Sequence, residues 1–273
     1  SLDNYLSGGR EHIPALAFIT RKIMELKEVW KDRKLKGVLV KVVDNPAMAV
    51  IAQQCGMDFV FYDCEHGVLS YEKLHDLMVM ANGRGFPSVV RVPQLARADV
   101  SKILDYGASG VMVPMIETRE QAELLAGWSK YPPVGRRSYS GGANTDYGPS
   151  GGHAQNMEKM NRHTMTIAQI ETVKGVENID EILRVEGIDA AIVGPCDLGI
   201  SMGNPDNVMD ERELALIQKV VDACKRHDKA FGIIGGMNLL SHFREDINIL
   251  VAAIDTNILR AGMKKAVEEY EQL

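Results

Sequence analysis

Polar residues able to do chemistry recur just behind apolar, β-branched runs of this chain. Asp63, Glu65 and His66 follow one run, Arg91 ends another, Gln169 and Glu171 share a third, and Cys196 and Asp197 follow a fourth. Lys41 and Asp255 stand at the ends of two more. Charged groups so close to buried segments are costly unless they are paired or bind a metal. A histidine suits general base work because imidazole titrates near neutral pH. Glu171 and Asp197 as an isolated carboxylate pair, with other positions left to water and substrate, suit Mg2+ or Mn2+. Zinc would ask for more His or Cys. The run Ala190–Gly194 offers no lysine for Schiff-base chemistry. Lys41 reads as an ion-pair partner of the acidic residues, Asp255 as structural, and Met112, Met115 and Met202 as packing.

The elements that must position these residues follow from periodicity. Eight apolar runs read as strands buried on both faces: Gly37–Val43, Phe59–Asp63, Ser88–Val92, Gly110–Ile116, Thr166–Glu171, Ala190–Gly194, Ala230–Ile234 and Ile249–Ile254. Amphipathic stretches lie between them, such as Tyr71–Arg84, Ala98–Tyr106, Arg119–Lys130, Val176–Val185 and Glu211–His227. This alternation predicts an α/β fold, a (β/α)8 TIM barrel forming a single domain over 1–273, with its active site at the carboxyl ends of the strands. An extra N-terminal helix is expected over Ile13–Arg33, the barrel over about 36–260, and a charged helical tail over Arg260–Leu273 that packs on a neighbouring subunit. The glycine-rich stretch Pro132–His163 is the one long irregular segment, and reads as a lid or binding loop.

Bulk properties narrow the partners. The chain has 273 residues, 45% hydrophobic content and a net charge of −6. Its basic residues form no run, which argues against nucleic acid and acidic membranes. No apolar run approaches the ~18 residues of a membrane span. Residues 1–12 carry no apolar leader core. Cys55, Cys64, Cys196 and Cys224 have no CxxC spacing, so reduced thiols and a cytoplasmic location are expected.

Several segments resemble the HpcH/HpaI aldolase family, the class II pyruvate aldolases. They are Asp63-Cys64-Glu65-His66-Gly67, Val90-Arg91-Val92-Pro93, Ile103-Leu104-Asp105-Tyr106-Gly107-Ala108 and Gly110-Val111-Met112-Val113-Pro114-Met115. Further on come Tyr131-Pro132-Pro133-Val134-Gly135-Arg136-Arg137, Gln169-Ile170-Glu171-Thr172 and Gly194-Pro195-Cys196-Asp197-Leu198. The resemblance implies cleavage or formation of 4-hydroxy-2-oxo acids through a pyruvate enolate, from a keto acid and an aldehyde. It implies a divalent metal, Mg2+ or Mn2+ with Co2+ as an alternative, on Glu171 and Asp197. Arg91 would stabilise the enolate oxygen, and His66 would be the base, with Asp105 raising its basicity. Gln169 and the backbone at Cys196 and Asp197 would hold the keto acid, with Asp63 and Glu65 as supporting partners. It also implies a homo-oligomer, a hexamer or trimer of dimers. The same machinery would serve oxaloacetate decarboxylation or an acyl-CoA lyase, and a non-catalytic keto-acid-binding barrel is the reading from another class. Two segments depart from the family. Ser138–Gly152 lacks the arginine-bearing loop of the sugar-acid members, and Gly67-Val68-Leu69-Ser70 replaces a proline-containing turn.

Overall fold

A computed structural model describes residues 24–148 and 152–273. Eight parallel strands close into a barrel in chain order. They are β1 (Leu35–Val40), β2 (Phe59–Asp63), β3 (Ser88–Arg91), β4 (Gly110–Val113), β5 (Met165–Ile170), β6 (Ala190–Val193), β7 (Ala230–Ile234) and β8 (Ile249–Ile254). Twelve helices are described: α1 (Leu26–Asp32), α2 (Ala47–Gln54), α3 (Tyr71–Gly83), α4 (Arg97–Asp105), α5 (Arg119–Ser129), α6 (His153–His163), α7 (Val173–Glu177), α8 (Ile179–Leu183), α9 (Pro195–Ser201), α10 (Glu211–Arg226), α11 (Met237–His242) and α12 (Asp255–Tyr270). Among the described residues no helix is long and apolar enough to cross a membrane.

Alternate strand residues fill two separate cores, which is why the strands read as near-continuous apolar runs. Leu39, Phe59, Phe61, Val89, Met112, Ile167, Ile192 and Val251 pack inside the barrel, and Leu26 of α1 packs with them. Residues of the opposite parity, among them Val38, Val60, Tyr62, Val90, Ala168 and Val193, pack against the helices. The barrel is therefore a filled core rather than a pore, and space for chemistry exists only at its rims.

Ion pairs fasten α1 to the amino-terminal side of the barrel. Asp189 holds Lys27 at 2.9 Å and the buried Lys130 at 2.7 Å, and also accepts the Thr166 N–H. Burial pulls the Lys130 ammonium down to about 8 against the attraction of Asp189. Helix α1 confirms the C-terminal part of the expected leading helix; its stretch 13–23 lies outside the described residues.

Several boundaries differ from expectation. β1 and β4 stop at Val40 and Val113, earlier than their apolar runs do, because the chain turns outward at the rim while staying apolar. The stretch Val176–Val185 divides at Asn178 into α7 and α8. The tail helix starts straight off β8 at Asp255. The stretch Pro132–His163 contains a short 3-10 turn, Ala143–Thr145, and α6. Its described part runs outside α3 and α4, with Tyr147 against His75. Lys27 donates to the Asn161 carbonyl at 3.2 Å, which puts α6 beside α1, away from the carboxyl-terminal rim of the barrel.

Candidate active site

Pairing register makes neighbours of Asp63 and Arg91, the last residues of β2 and β3. Arg91 donates from Nε to Asp63 Oδ1 at 2.9 Å and from Nη2 to Oδ2 at 2.6 Å. This two-point fit of a planar guanidinium to a carboxylate fixes direction as well as distance. Burial works to raise the Asp63 carboxyl, but Arg91 and the backbone N–H groups of His66 and Glu65 outweigh it and hold it below the ordinary range. Asp63 is thus permanently engaged, and its task is to aim Arg91 and shape the turn after β2.

The same guanidinium reaches further round the rim. Its Nη1 lies 3.1 Å from Glu65 Oε2 and donates to Gln169 Oε1 at 3.4 Å. The Gln169 amide nitrogen donates to Glu171 Oε2. Glu171 Oε1 accepts the Met115 N–H at 2.8 Å. Burial, with added repulsion from Glu65 and Asp197, pushes the Glu171 carboxyl up to about 7. Burial likewise raises Glu65, with Asp63 and Asp197 adding to it. Four carboxyl groups, Asp63, Glu65, Glu171 and Asp197, therefore share one electrostatic environment at the rim.

Close approach is possible here because position 194 has no side chain. A Cβ on Gly194 would stand 2.6 Å from Glu171 Oε2 and 2.8 Å from Gln169 Nε2. After Gly194 the chain enters α9 with Pro195 in its first turn. Cys196 and Asp197 are exposed in that turn, where backbone N–H groups have no intrahelical acceptor. Burial pushes the neighbouring thiol of Cys64 up to about 12, which removes it as a nucleophile.

His66 leaves the β2 turn with a side chain 55% exposed and Nε2 3.7 Å from Glu65 Oε2. Its turn is tight: a Cβ on Gly67 would lie 2.0 Å from the Asp63 carbonyl oxygen. Val68 N–H donates to the Lys41 carbonyl at 3.0 Å, joining the turn to β1. Asp255 braces β1 in turn, its buried Oδ2 accepting the N–H groups of Lys41, Val42 and Val43 at 3.0, 2.9 and 2.9 Å.

His66, Arg91, Gln169, Glu171, Cys196 and Asp197 thus all arrive at the carboxyl-terminal rim. Asp105 stands elsewhere. It ends α4, which leads into the amino end of β4, and pairs with Arg137 Nη2 at 2.6 Å. Met115, expected to pack, is instead exposed in the left-handed region at φ 56°. That turn directs its N–H onto Glu171, and nothing in a methionine announces such a conformation. Asp255 is structural, as its place behind the eighth apolar run suggests, and it acts as the brace behind β1; the space that Gly194 leaves for Glu171 and Gln169 has no signal in residue type.

The family model described as HpcH/HpaI aldolase/citrate lyase matches residues 38–258. A 2-keto-3-deoxy-L-rhamnonate aldolase of Salmonella schwarzengrund is 34% identical over 191 residues, 69% of each chain. The crystal structure of an HpcH/HpaI aldolase from Desulfitobacterium hafniense superposes with a TM-score of 0.85 at 30% identity, covering 90% of this chain and 96% of that one. A citrate synthase, SbnG, superposes with a TM-score of 0.81 at 27% identity over 92% and 98%. This chain belongs to the HpcH/HpaI aldolase/citrate lyase family, and with it to the carbon–carbon lyases.

Proposed function

We propose that the protein is a divalent-metal-dependent aldolase that cleaves 4-hydroxy-2-oxo acids to pyruvate and an aldehyde, and runs the reverse addition. The observation that carries this reading is the buried Glu171 carboxyl, raised by burial and by the nearby charges of Glu65 and Asp197. A cation between Glu171 and Asp197 would relieve that repulsion, and hard carboxylate oxygens suit Mg2+ or Mn2+. Among the described residues no three His, Cys, Asp or Glu side chains converge as a metal cage, so the proposal takes two ligands from the chain. When bound, the metal supplies Lewis acidity to the carboxylate and keto oxygen of the substrate.

The chain's own residues do the rest. Backbone N–H groups of Cys196 and Asp197, with the Gln169 amide, orient the keto acid. His66 accepts the proton of the C4 hydroxyl. The C3–C4 bond then breaks, its electron pair becomes the C2–C3 enolate, and C4 leaves as the aldehyde carbonyl. Arg91, held by Asp63 and Glu65, faces the enolate oxygen as charge develops on it. His66 returns its proton to C3 and pyruvate results. Asp105 takes no part in these steps within one chain, being bound to Arg137 at the other end of the barrel. The exposed apolar side chains of α12, Leu259, Met263, Val267 and Tyr270, fit a homo-oligomer.

Calorimetric titration with Mn2+ tests the metal assignment. Glu171→Gln should weaken binding by more than about 100-fold, beyond the roughly 10- to 100-fold lost when only a supporting partner is removed. Unchanged affinity would sink the assignment.

A further inference from the structure

Lys41 follows β1 directly, one step beyond the paired residues Val40 and Tyr62, and therefore at the level of Asp63. Its backbone is fixed on both sides. The N–H is bound by Asp255 at 3.0 Å, and the carbonyl accepts Val68 N–H at 3.0 Å. The ammonium is left with its donors unspent. Nζ stands 3.9 Å from Asp63 Oδ2, outside hydrogen-bond reach. Both oxygens of Asp63 are already taken by Arg91, and Oδ1 also accepts the N–H groups of Glu65 and His66. Lys41 makes no hydrogen bond through Nζ among the described residues, and its side chain is 30% exposed.

The surroundings give that charge a direction of use. Lys41, Asp63, Arg91, Gln169 and Glu171 form one line of polar contacts across the rim from β1 to β5. For a substrate whose keto acid end lies at Glu171 and Asp197, β1 and β2 are the strands opposite β5 and β6 in the barrel order, and the other end would extend toward them. The turn after β1 contributes Val42 and the exposed acid Asp44, the ends of β7 and β8 contribute Gly235, Gly236 and Met237, and Asp255 is buried and engaged. With Arg91 held by Asp63 and Glu65, the Lys41 ammonium is a cation that still has hydrogen-bond donors to give, and such a group discriminates between a charged and an uncharged partner.

We propose that Lys41 is a specificity residue for the aldehyde half of the substrate, its ammonium binding a carboxylate carried by the acceptor. This rests on the aldolase reading above and adds the chemical class of the second substrate. A salt-bridged hydrogen bond of this kind is expected to change kcat/KM by about 10- to 100-fold.

Glyoxylate and acetaldehyde make the test, since they differ by a carboxylate in place of a methyl group. With pyruvate as donor and Mn2+ present, Lys41→Met should lower kcat/KM for glyoxylate by about 10- to 100-fold, chiefly through KM. It should affect acetaldehyde far less, and Lys41→Arg should restore most of the glyoxylate activity. Equal losses with both acceptors, or no loss with either, would overturn the proposal. Deuterium exchange into pyruvate, which needs no acceptor, separates the two readings. Exchange that persists in Lys41→Met places Lys41 on the acceptor side, and exchange lost there contradicts it. Absence of exchange in the unmodified protein is the failure of the aldolase reading itself.

Discussion

Glu171 holds a buried charge only if something positive faces it, and Arg91 is already shared among Asp63, Glu65 and Gln169. The carboxyl responds by moving up to about 7, as desolvation and like charges require. Gly194 is what allows Glu171 and Gln169 to crowd together, since a methyl group there would collide with both. Gly194→Ala should therefore weaken Mn2+ affinity at least about tenfold, as loss of a supporting contact does, while circular dichroism still reports a folded barrel. Unaltered affinity would show that the crowding does not matter. Residue types made most of the rim legible beforehand: a histidine, an arginine and several carboxylates behind apolar runs have few structural explanations. Met115 was illegible because its part is played by a backbone N–H in a left-handed turn, and side-chain chemistry carries no record of that.

At the level of elements, the rim depends on how strand ends are tied together. Asp255 closes the barrel seam by binding three consecutive N–H groups behind β1, and the Lys41 carbonyl passes the constraint to the His66 turn. Asp255→Ala would leave three donors without their acceptor. At about 1 kcal/mol each, the loss is about 3 kcal/mol, or a fall in Tm of about 5 °C by differential scanning calorimetry. A Tm within about 2 °C of the unmodified protein would show that water replaces the carboxylate at little cost. Strand positions were readable because both faces of strands such as β2 and β5 are buried. Strand ends were not, since Val42 and Ile116 remain apolar where pairing has already stopped. The face covered by Pro132–His163 was also unreadable, because contacts distant in sequence, Lys27 with Asn161 and His75 with Tyr147, decide it.

For the molecule as a whole, barrel closure places the proposed metal pair behind β5 and β6, the guanidinium on β3, the proposed base behind β2 and the Lys41 ammonium behind β1. The proposed placement of the keto acid at one side of the rim and of the aldehyde at the other uses this order. The fold was legible from eight alternating units, whereas the assembly was not, since the exposed face of α12 acquires meaning only against another surface. The central claim is that these residues generate an enolate from pyruvate with help from a divalent cation. Exchange of pyruvate methyl protons with deuterium, followed by NMR, tests it without any choice of aldehyde. The account predicts exchange that requires Mg2+ or Mn2+, stops on addition of EDTA, and is lost in His66→Ala while Mn2+ still binds. Absence of exchange with either metal, or exchange indifferent to His66, would contradict it.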